Sequence, residues 1–225
     1  MQDIDNMEEY LKETFFLDYH NPAYTNFTKK IPAHCSKKDT AVSLYYLVRD
    51  FFIYDPYHLD LRHHALKGSH LLQKNRAWCV EKSIVLAACA RKYGIPSRLG
   101  YAIVVNHIGV EKLTTYLQRK EIVFHGYVEL FIENKWVKCT PSFDKRICKL
   151  TKVPPLDWDG SNDSIFQSYT NEGKFMEYKK DYGTFNDVPI LLMNQEMKTY
   201  YPHLFESSFE TKEFSFHHLD LNKES

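Results

Sequence analysis

The sequence predicts an α+β fold in which a helix that begins at a cysteine packs against an antiparallel sheet. The helix is predicted from an alanine-rich apolar stripe that follows Cys79 and from the stop signal Gly94-Ile95-Pro96. The sheet is predicted from the segments 123–132 and 135–140, in which apolar residues alternate on both sides of a two-residue turn, as in a β-hairpin.

Before the cysteine helix, the pattern indicates three further helices. Residues 7–17 carry apolar side chains on one side of a short helix, and a loop containing Pro and Thr follows through Pro32. Apolar residues near helical spacing predict a second helix over residues 39–52. A third helix is expected over residues 62–73, and it leads into a polar loop just before the cysteine.

After the cysteine helix, alternating apolar residues predict a strand over residues 97–105, and residues 109–120 resemble an inserted amphipathic helix. The tail from residue 150 onward is rich in Asp, Asn and Ser and shows little periodicity, so we expect it to wrap the core or line the site. We interpret the whole chain, residues 1–225, as a single domain. Its core spans about residues 40–145, with an N-terminal helical extension and a C-terminal wrapping segment, residues 150–225.

The composition excludes several classes of function. Lysine plus arginine and aspartate plus glutamate number 29 each, so there is no basic excess of the kind that nucleic acid or an anionic membrane attracts. No stretch approaches the roughly 20 apolar residues that cross a bilayer, and the N-terminal residues are acidic where a signal peptide would be basic. Five cysteines without paired spacing suit a reducing compartment. We therefore expect a cytoplasmic soluble protein with no nucleic-acid or membrane partner.

Cys79 and His125 are the candidate catalytic residues. A cysteine at the mouth of a helix lies where the N-terminus carries about half a positive charge, which favours the thiolate. A histidine at the start of a strand has its imidazole direction fixed by the backbone. The alternative for both residues is structural, because a buried cysteine packs like a small hydrophobe and a strand histidine can be a satisfied core residue.

Four motifs follow one another in an order that resembles the transglutaminase-like (papain-like) cysteine enzyme superfamily. They are Cys79 at the start of an alanine-rich helix, Gly94-Ile95-Pro96-Ser97-Arg98, His125-Gly126-Tyr127-Val128-Glu129-Leu130 and Trp136-Val137-Lys138-Cys139-Thr140-Pro141. The order is more specific than any one motif, and the resemblance is strongest over residues 40–145. The remainder is similar to a microbial subgroup of transglutaminase-like proteins. The resemblance implies a papain/transglutaminase-like core.

The resemblance also implies a Cys–His–Asp triad, in which Cys79 is the nucleophile and His125 is the base. The third member departs from the pattern, because many relatives have Asp where this chain has Thr140. A threonine hydroxyl accepts a hydrogen bond from the imidazole, but it does not stabilise an imidazolium as a carboxylate does. Asp144, four residues further on, is the substitute candidate. The sequence leaves the choice between Thr140 and Asp144 open.

The implied activity is acyl transfer through a thioester, in which the Cys79 thiolate attacks an amide or ester carbonyl and water or an amine releases the acyl group. This describes a cysteine peptidase, an amidase or a transglutaminase-like acyltransferase, and the chain length favours hydrolysis. A peptide or a small amide is the expected substrate, and no cofactor is required. The alternative is a catalytically degenerate fold that binds peptides, which Thr140 supports. The Cys79 backbone N–H is one oxyanion donor, and Gln73 or a tryptophan indole is the second.

No metal site is predicted. There is no Cys-x-x-Cys pair, and the histidines before the cysteine helix lack tight ligand spacing: His58, His63, His64 and His70. Residues 157–163 resemble a calcium loop without its terminal Glu, so an ordinary Asp/Gly turn is expected there. Of the other cysteines, Cys89 and Cys139 are expected in the core, whereas Cys35 and Cys148 are expected in loops.

Two expectations concern geometry. The sulfur of Cys79 and a ring nitrogen of His125 should lie within about 4 Å of each other. The aromatic tail, residues 155–185, should pack on the core, either as one wall of the cleft between the cysteine helix and the hairpin or as a cover for an apolar patch behind the sheet.

Overall fold

The computed structural model describes residues 7–106, 111–165, 176–206 and 209–220. Its helices are α1 (Pro22–Phe27), α2 (Lys37–Phe51), α3 (Gly68–Leu71), α4 (Cys79–Lys92), α5 (Glu111–Leu117), α6 (Lys145–Thr151) and α7 (Ile190–Tyr200). Its strands are β1 (Ile53–Tyr54), β2 (His58–Asp60), β3 (Arg76–Ala77), β4 (Ser97–Asn106), β5 (Glu121–Ile132), β6 (Lys135–Cys139), β7 (Met176–Phe185), β8 (Phe209–Glu210) and β9 (Ser215–His217). Short 3₁₀ turns lie at Glu9–Leu11 and Pro202–Leu204.

A four-stranded antiparallel sheet in the order β6-β5-β4-β7 forms one layer of the domain. Helix α4 packs against β4 and β5 of this sheet and against α2 on its other side. Two small sheets complete the described part, a parallel pair β1-β3 and a three-stranded sheet β2-β9-β8. Helices packed on an antiparallel sheet confirm the predicted α+β class.

Helix α4 is the central element of the core. Residues 79–91 are all buried, and its many alanines allow close packing on both sides. The helix ends as predicted, with Gly94 at a positive φ of 67° and the Ile95 N–H donating to the Ala90 carbonyl at 2.9 Å. At its start, the buried Glu81 carboxylate accepts from the Trp78 N–H at 3.2 Å, which satisfies a donor just before the helix.

The predicted hairpin is present as β5 and β6. Glu133 and Asn134 form its turn, with φ values of 50° and 66°, the left-handed pair that a two-residue hairpin requires. The register pairs Phe131 with Trp136 and Val128 with Cys139. Strand β4 extends the hairpin on the other side, as the alternating pattern predicted.

The N-terminal half differs from the sequence prediction in three places. The helix expected over residues 7–17 is only the 3₁₀ turn Glu9–Leu11, and the helix expected over residues 62–73 is only α3. A Cβ at Gly68 would lie 1.9 Å from the Tyr24 hydroxyl, so the start of α3 packs closely against α1. Conversely, α1 forms within the expected loop, where the Asn21 side chain accepts from the Ala23 N–H.

The C-terminal segment contributes more regular structure than its sequence indicated. Strand β7 pairs antiparallel with β4 along the sheet edge, α7 packs against β5, and β9 pairs with β2. The expectation that the tail packs on the core depended on its aromatic residues. Three of them lie outside the described residues: Phe166, Tyr169 and Phe175. Helix α5 lies inside the expected segment 109–120, whose first two residues are also outside the described part. Among the described helices, none has the length and apolar character needed to cross a bilayer.

Candidate active site

Cys79 is the first residue of α4 and is 2% exposed. Its sulfur accepts a hydrogen bond from the Gly126 N–H of β5 at 3.4 Å. The backbone N–H groups of Val80 and of Cys79 itself also point to the sulfur and favour its ionised form. The helix N-terminus and the neighbouring strand therefore meet at the thiol, as the position of the cysteine predicted.

Gly126 permits this approach of strand to helix. A Cβ at this position would lie 3.0 Å from the Val80 Cα and 3.2 Å from both the Val80 nitrogen and the Ser83 hydroxyl. Any larger residue would push β5 away from the start of α4. The glycine of the His125-Gly126 pair is thus the residue that places the histidine strand against the cysteine.

His125 lies next to that contact in β5 and is 3% exposed. Phe124, just before it, has a positive φ of 58°, and the pairing of β5 with β4 shifts register between Ala102 and Val104. Among the described residues, no hydrogen bond links the His125 ring to the Cys79 thiol, and the separation of about 4 Å expected between the sulfur and a ring nitrogen stays a prediction. The Nε2 atom of His125 is buried without a hydrogen-bond partner in the described part of the chain.

A small cavity of about 20 Å³, which we call the histidine cavity, surrounds this ring. Its polar lining consists of His125, Thr140 and Ser142, and its apolar lining consists of Phe143, Leu156, Ile165 and Met176. The hydroxyls of Thr140 and Ser142, like Nε2 of His125, are buried and have no hydrogen-bond partner among the described residues. Three unpartnered polar groups around one cavity are unusual, because buried polar groups are nearly always satisfied.

Thr140 lines the histidine cavity together with His125, whereas Asp144 does not. The Asp144 carboxylate caps α6 by accepting from the Arg146 N–H at 3.0 Å and from the Arg146 Nε at 2.6 Å. Its second oxygen accepts from the Tyr54 N–H at 2.8 Å. Burial raises the pKa of Asp144, but the hydrogen bonds from Arg146 and Tyr54 outweigh it and hold the pKa below its ordinary value. Asp144 therefore fixes α6 to β1, and it makes no hydrogen bond to His125 among the described residues.

Lys82, one turn along α4 from the cysteine, is a site residue that sequence reasoning missed. Its ammonium group is fully buried and donates to the main-chain carbonyls of Ser142 at 2.6 Å and Arg49 at 2.9 Å. Burial lowers the pKa of Lys82 to about 7, although the negative charges of Asp144 and Asp50 act to raise it. Lys82 stands between Glu81 and Ser83 in the sequence, so the pattern of polar and apolar residues gave no signal that could have identified it.

The electrostatics leave both catalytic candidates neutral in this structure. Burial raises the pKa of Cys79 to about 11, although three backbone N–H groups oppose it. Burial also lowers the pKa of His125 to about 4. Moving the proton from the thiol to the imidazole across this gap costs about 10 kcal/mol, at 1.36 kcal/mol per unit, before the attraction between the two ions is counted.

A larger cleft of about 800 Å³, which we call the α4 cleft, opens beside the start of the helix. It is lined by Phe51, Asp55, His58, residues 72–77 and Glu81. Ion pairs join Lys74 to Glu81 at 2.6 Å and Arg76 to Asp55 at 3.5 Å across its lining. Of the two candidates for the second oxyanion donor, Gln73 lines this cleft, whereas the Trp78 indole N–H is buried without a partner among the described residues.

The remaining sequence expectations have mixed outcomes. Cys89 and Cys139 are buried, as expected, and Cys35 is exposed, but Cys148 lies buried in α6 and not in a loop. Its packing follows from the helix that Asp144 caps. Asp159 accepts from the N–H groups at 161 and 162, which makes the expected Asp turn. No group of three possible metal ligands lies within the part of the chain that the structure describes.

Comparison with known proteins places the chain in a family. A model of the Transglutaminase-like superfamily matches residues 25–141, more than half of the 225 residues. Among solved structures, a proposed cysteine protease from Cytophaga hutchinsonii aligns at 11% identity with a TM-score of 0.47, over 62% of this chain and 43% of that chain. The chain thus spans less than half the length of that protein. No curated protein sequence matches it.

Proposed function

The chain belongs to the Transglutaminase-like superfamily, and from this membership we propose that it is a thiol-dependent enzyme that cleaves or transfers the acyl group of an amide. One observation carries the proposal: the Cys79 sulfur, at the start of α4, lies 3.4 Å from the Gly126 nitrogen of the strand that holds His125. This arrangement joins a nucleophile at a helix N-terminus to a base on a rigid strand.

The reaction would proceed in two steps. His125 takes the thiol proton through Nδ1 while the Cys79 sulfur bonds to the amide carbonyl carbon, and the backbone N–H of Cys79 stabilises the resulting oxyanion. The tetrahedral intermediate then collapses to a thioester and expels the amine. The departing amine takes the proton that His125 received from the thiol. Water or a second amine, deprotonated by His125, attacks the thioester and regenerates the Cys79 thiol.

The neutral resting pair requires that proton transfer accompany bond formation. A free thiolate is a minor species here, because the pKa of Cys79 is raised to about 11. General-base catalysis at the moment of attack avoids forming the thiolate in advance. The positive end of α4 and the Gly126 N–H then stabilise the charge that develops on the sulfur.

The α4 cleft is the proposed substrate site, because it lies next to Ala77, two residues before the nucleophile. A volume of about 800 Å³ is in the range that holds a peptide segment or a small amide. Hydrolysis is the preferred outcome, with aminolysis as the second. The five cysteines form no disulfide, which supports a reducing compartment such as the cytoplasm as the place of action.

A trapping experiment tests the proposal. The protein is incubated with a hexapeptide-amide library, with and without hydroxylamine as acyl acceptor, and quenched in acid for intact-mass analysis. We expect an acyl adduct on Cys79, free acids without hydroxylamine and hydroxamates with it. Cys79→Ala should give none of these products, whereas Cys35→Ser should retain them, since Cys35 is exposed and remote in sequence. Wild-type product yields equal to those of Cys79→Ala would refute the proposed enzymatic activity.

A non-catalytic peptide-binding module is the second candidate. It is favoured by Thr140 in the position where relatives have a carboxylate, and by the neutral state of the buried Cys79 and His125 pair. A binding module would retain library peptides equally well in wild type and Cys79→Ala, and it would release them unchanged.

A further inference from the structure

We propose that Ser142 is a positioning residue for His125, and that it acts together with Thr140 through one water molecule bound in the histidine cavity. The inference deepens the proposed function, because it assigns the group that takes the place of the triad carboxylate. Ser142 carries no motif signal of its own, and only the fold brings it to the imidazole.

The first argument is the set of unsatisfied polar atoms. Nε2 of His125, Oγ1 of Thr140 and Oγ of Ser142 are each buried with no hydrogen-bond partner among the described residues, and all three residues line the histidine cavity. Each such group, if left unpaired, destabilises the fold, because its hydrogen bonds to water are lost on burial and not replaced. A shared partner would satisfy all three at once.

The second argument is size and surroundings. The cavity volume of about 20 Å³ exceeds the roughly 10–15 Å³ that one water molecule requires, and a buried water needs two to four polar partners. The cavity supplies three. Its other walls are apolar side chains, from Phe143, Leu156, Ile165 and Met176, which offer no competing side-chain acceptor to the water.

The third argument is the anchoring of Ser142. Its main-chain carbonyl accepts from the buried Lys82 ammonium at 2.6 Å, and Lys82 lies one turn from Cys79 on α4. The serine is therefore fixed to the helix that carries the nucleophile. Through the water, the position of the His125 imidazole would be fixed relative to that same helix.

The fourth argument is chemical. For Nδ1 of His125 to accept the thiol proton, the neutral ring must carry its proton on Nε2. An Nε2–H group donates to a water oxygen, and the water donates in turn to the hydroxyls of Thr140 and Ser142, each of which has free lone pairs. The network selects the reactive tautomer with neutral groups only. It stabilises the imidazolium less than a carboxylate would, which fits a base with a low pKa.

The experiment measures the His125 tautomer directly, by ¹⁵N chemical shifts of the ring in histidine-labelled protein at pH 7, assigned with His125→Gln. We expect the Nε2–H tautomer to dominate in wild type, with magnetisation transfer from water to the Nε2–H proton. Ser142→Ala should lower the tautomer ratio about 5- to 10-fold, as expected for the loss of one hydrogen bond.

Ser83→Ala is the matched control. Ser83 is also fully buried with an unpartnered hydroxyl among the described residues, but it lies on α4 outside the histidine cavity. Its tautomer ratio should equal that of wild type. The inference would be overturned by a Ser142→Ala variant with the same tautomer ratio as wild type. It would also be overturned if Ser83→Ala lowered the tautomer ratio as much as Ser142→Ala does.

The measurement separates this inference from the proposed function because it requires no turnover. A tautomer shift in Ser142→Ala with no acyl adduct on Cys79 would uphold the positioning role and refute the enzyme. An adduct with no tautomer shift would refute the positioning role alone.

Discussion

Replacing Thr140 by Asp should give His125 the charge partner that it lacks. A carboxylate at about 4–6 Å raises the pKa of an imidazole by roughly 1–3 units. From its present value of about 4, the pKa of His125 should rise to about 5–7. The difference from the Cys79 thiol, whose pKa is about 11, then falls from about 7 units to about 4–6.

The change is visible in the pH titration of the His125 ring, followed by ¹⁵N chemical shifts in histidine-labelled protein. Wild type should titrate with a midpoint near pH 4, and Thr140→Asp with a midpoint at about pH 5–7. At pH 5, the imidazolium fraction should therefore rise from about 0.1 in wild type to about 0.5–0.99 in the variant.

The titration midpoint is the decisive result. Thr140→Asn, which has the same shape without the charge, should titrate with the wild-type midpoint. A Thr140→Asp midpoint equal to that of wild type would show that position 140 does not act electrostatically on the histidine.

Three further outcomes follow from the site. Gly126→Ala should lower the free energy of unfolding by about 1–3 kcal/mol in urea denaturation, since its Cβ would meet the Val80 backbone at 3.0 Å; an unchanged midpoint would contradict the close approach. Wild type should lose stability as the pH falls from about 6.5 through about 4, because in this range the histidine binds a proton in the unfolded chain but stays neutral in the folded one. The loss should reach about 3 kcal/mol. His125→Phe should abolish this pH dependence, and a variant that keeps it would show that another group is responsible. Asp144→Asn should lower stability by about 1–2 kcal/mol, because the amide nitrogen cannot accept from the Tyr54 N–H and the ion pair with Arg146 is lost. It should leave the His125 titration midpoint unchanged, and a shifted midpoint would restore Asp144 as a partner of the base.

The elements that the sequence predicted are those whose signals are local. Helix α4 has alanines, a buried stripe and a left-handed stop at Gly94 within one stretch, and the hairpin has its alternation next to a two-residue turn. Cys79 and His125 lie on these elements, so their proximity could be anticipated. Local chemistry and tertiary packing agree at these positions.

The elements that the sequence did not reveal depend on distant contacts. The burial pattern of β7 shows no alternation, with several charged residues along the edge of the sheet, so that only its pairing with β4 makes it a strand. Asp144 was a plausible triad member by sequence distance, yet Tyr54, 90 residues away, takes up its second oxygen. Ser142 and Lys82 gain their importance from each other, across 60 residues, and no motif contains both.

The pairing of β4 with β7 has a consequence for how the protein is made. Leu99 pairs with Phe185, which emerges from the ribosome 86 residues later, and Met176 of the same strand closes the wall beside His125. Contacts over such separations form late in folding, because the loop must close before the contact stabilises it. A nascent chain that already contains Cys79 and His125 therefore still lacks a complete histidine cavity. Translation of the final third of the chain sets the moment at which that cavity can close.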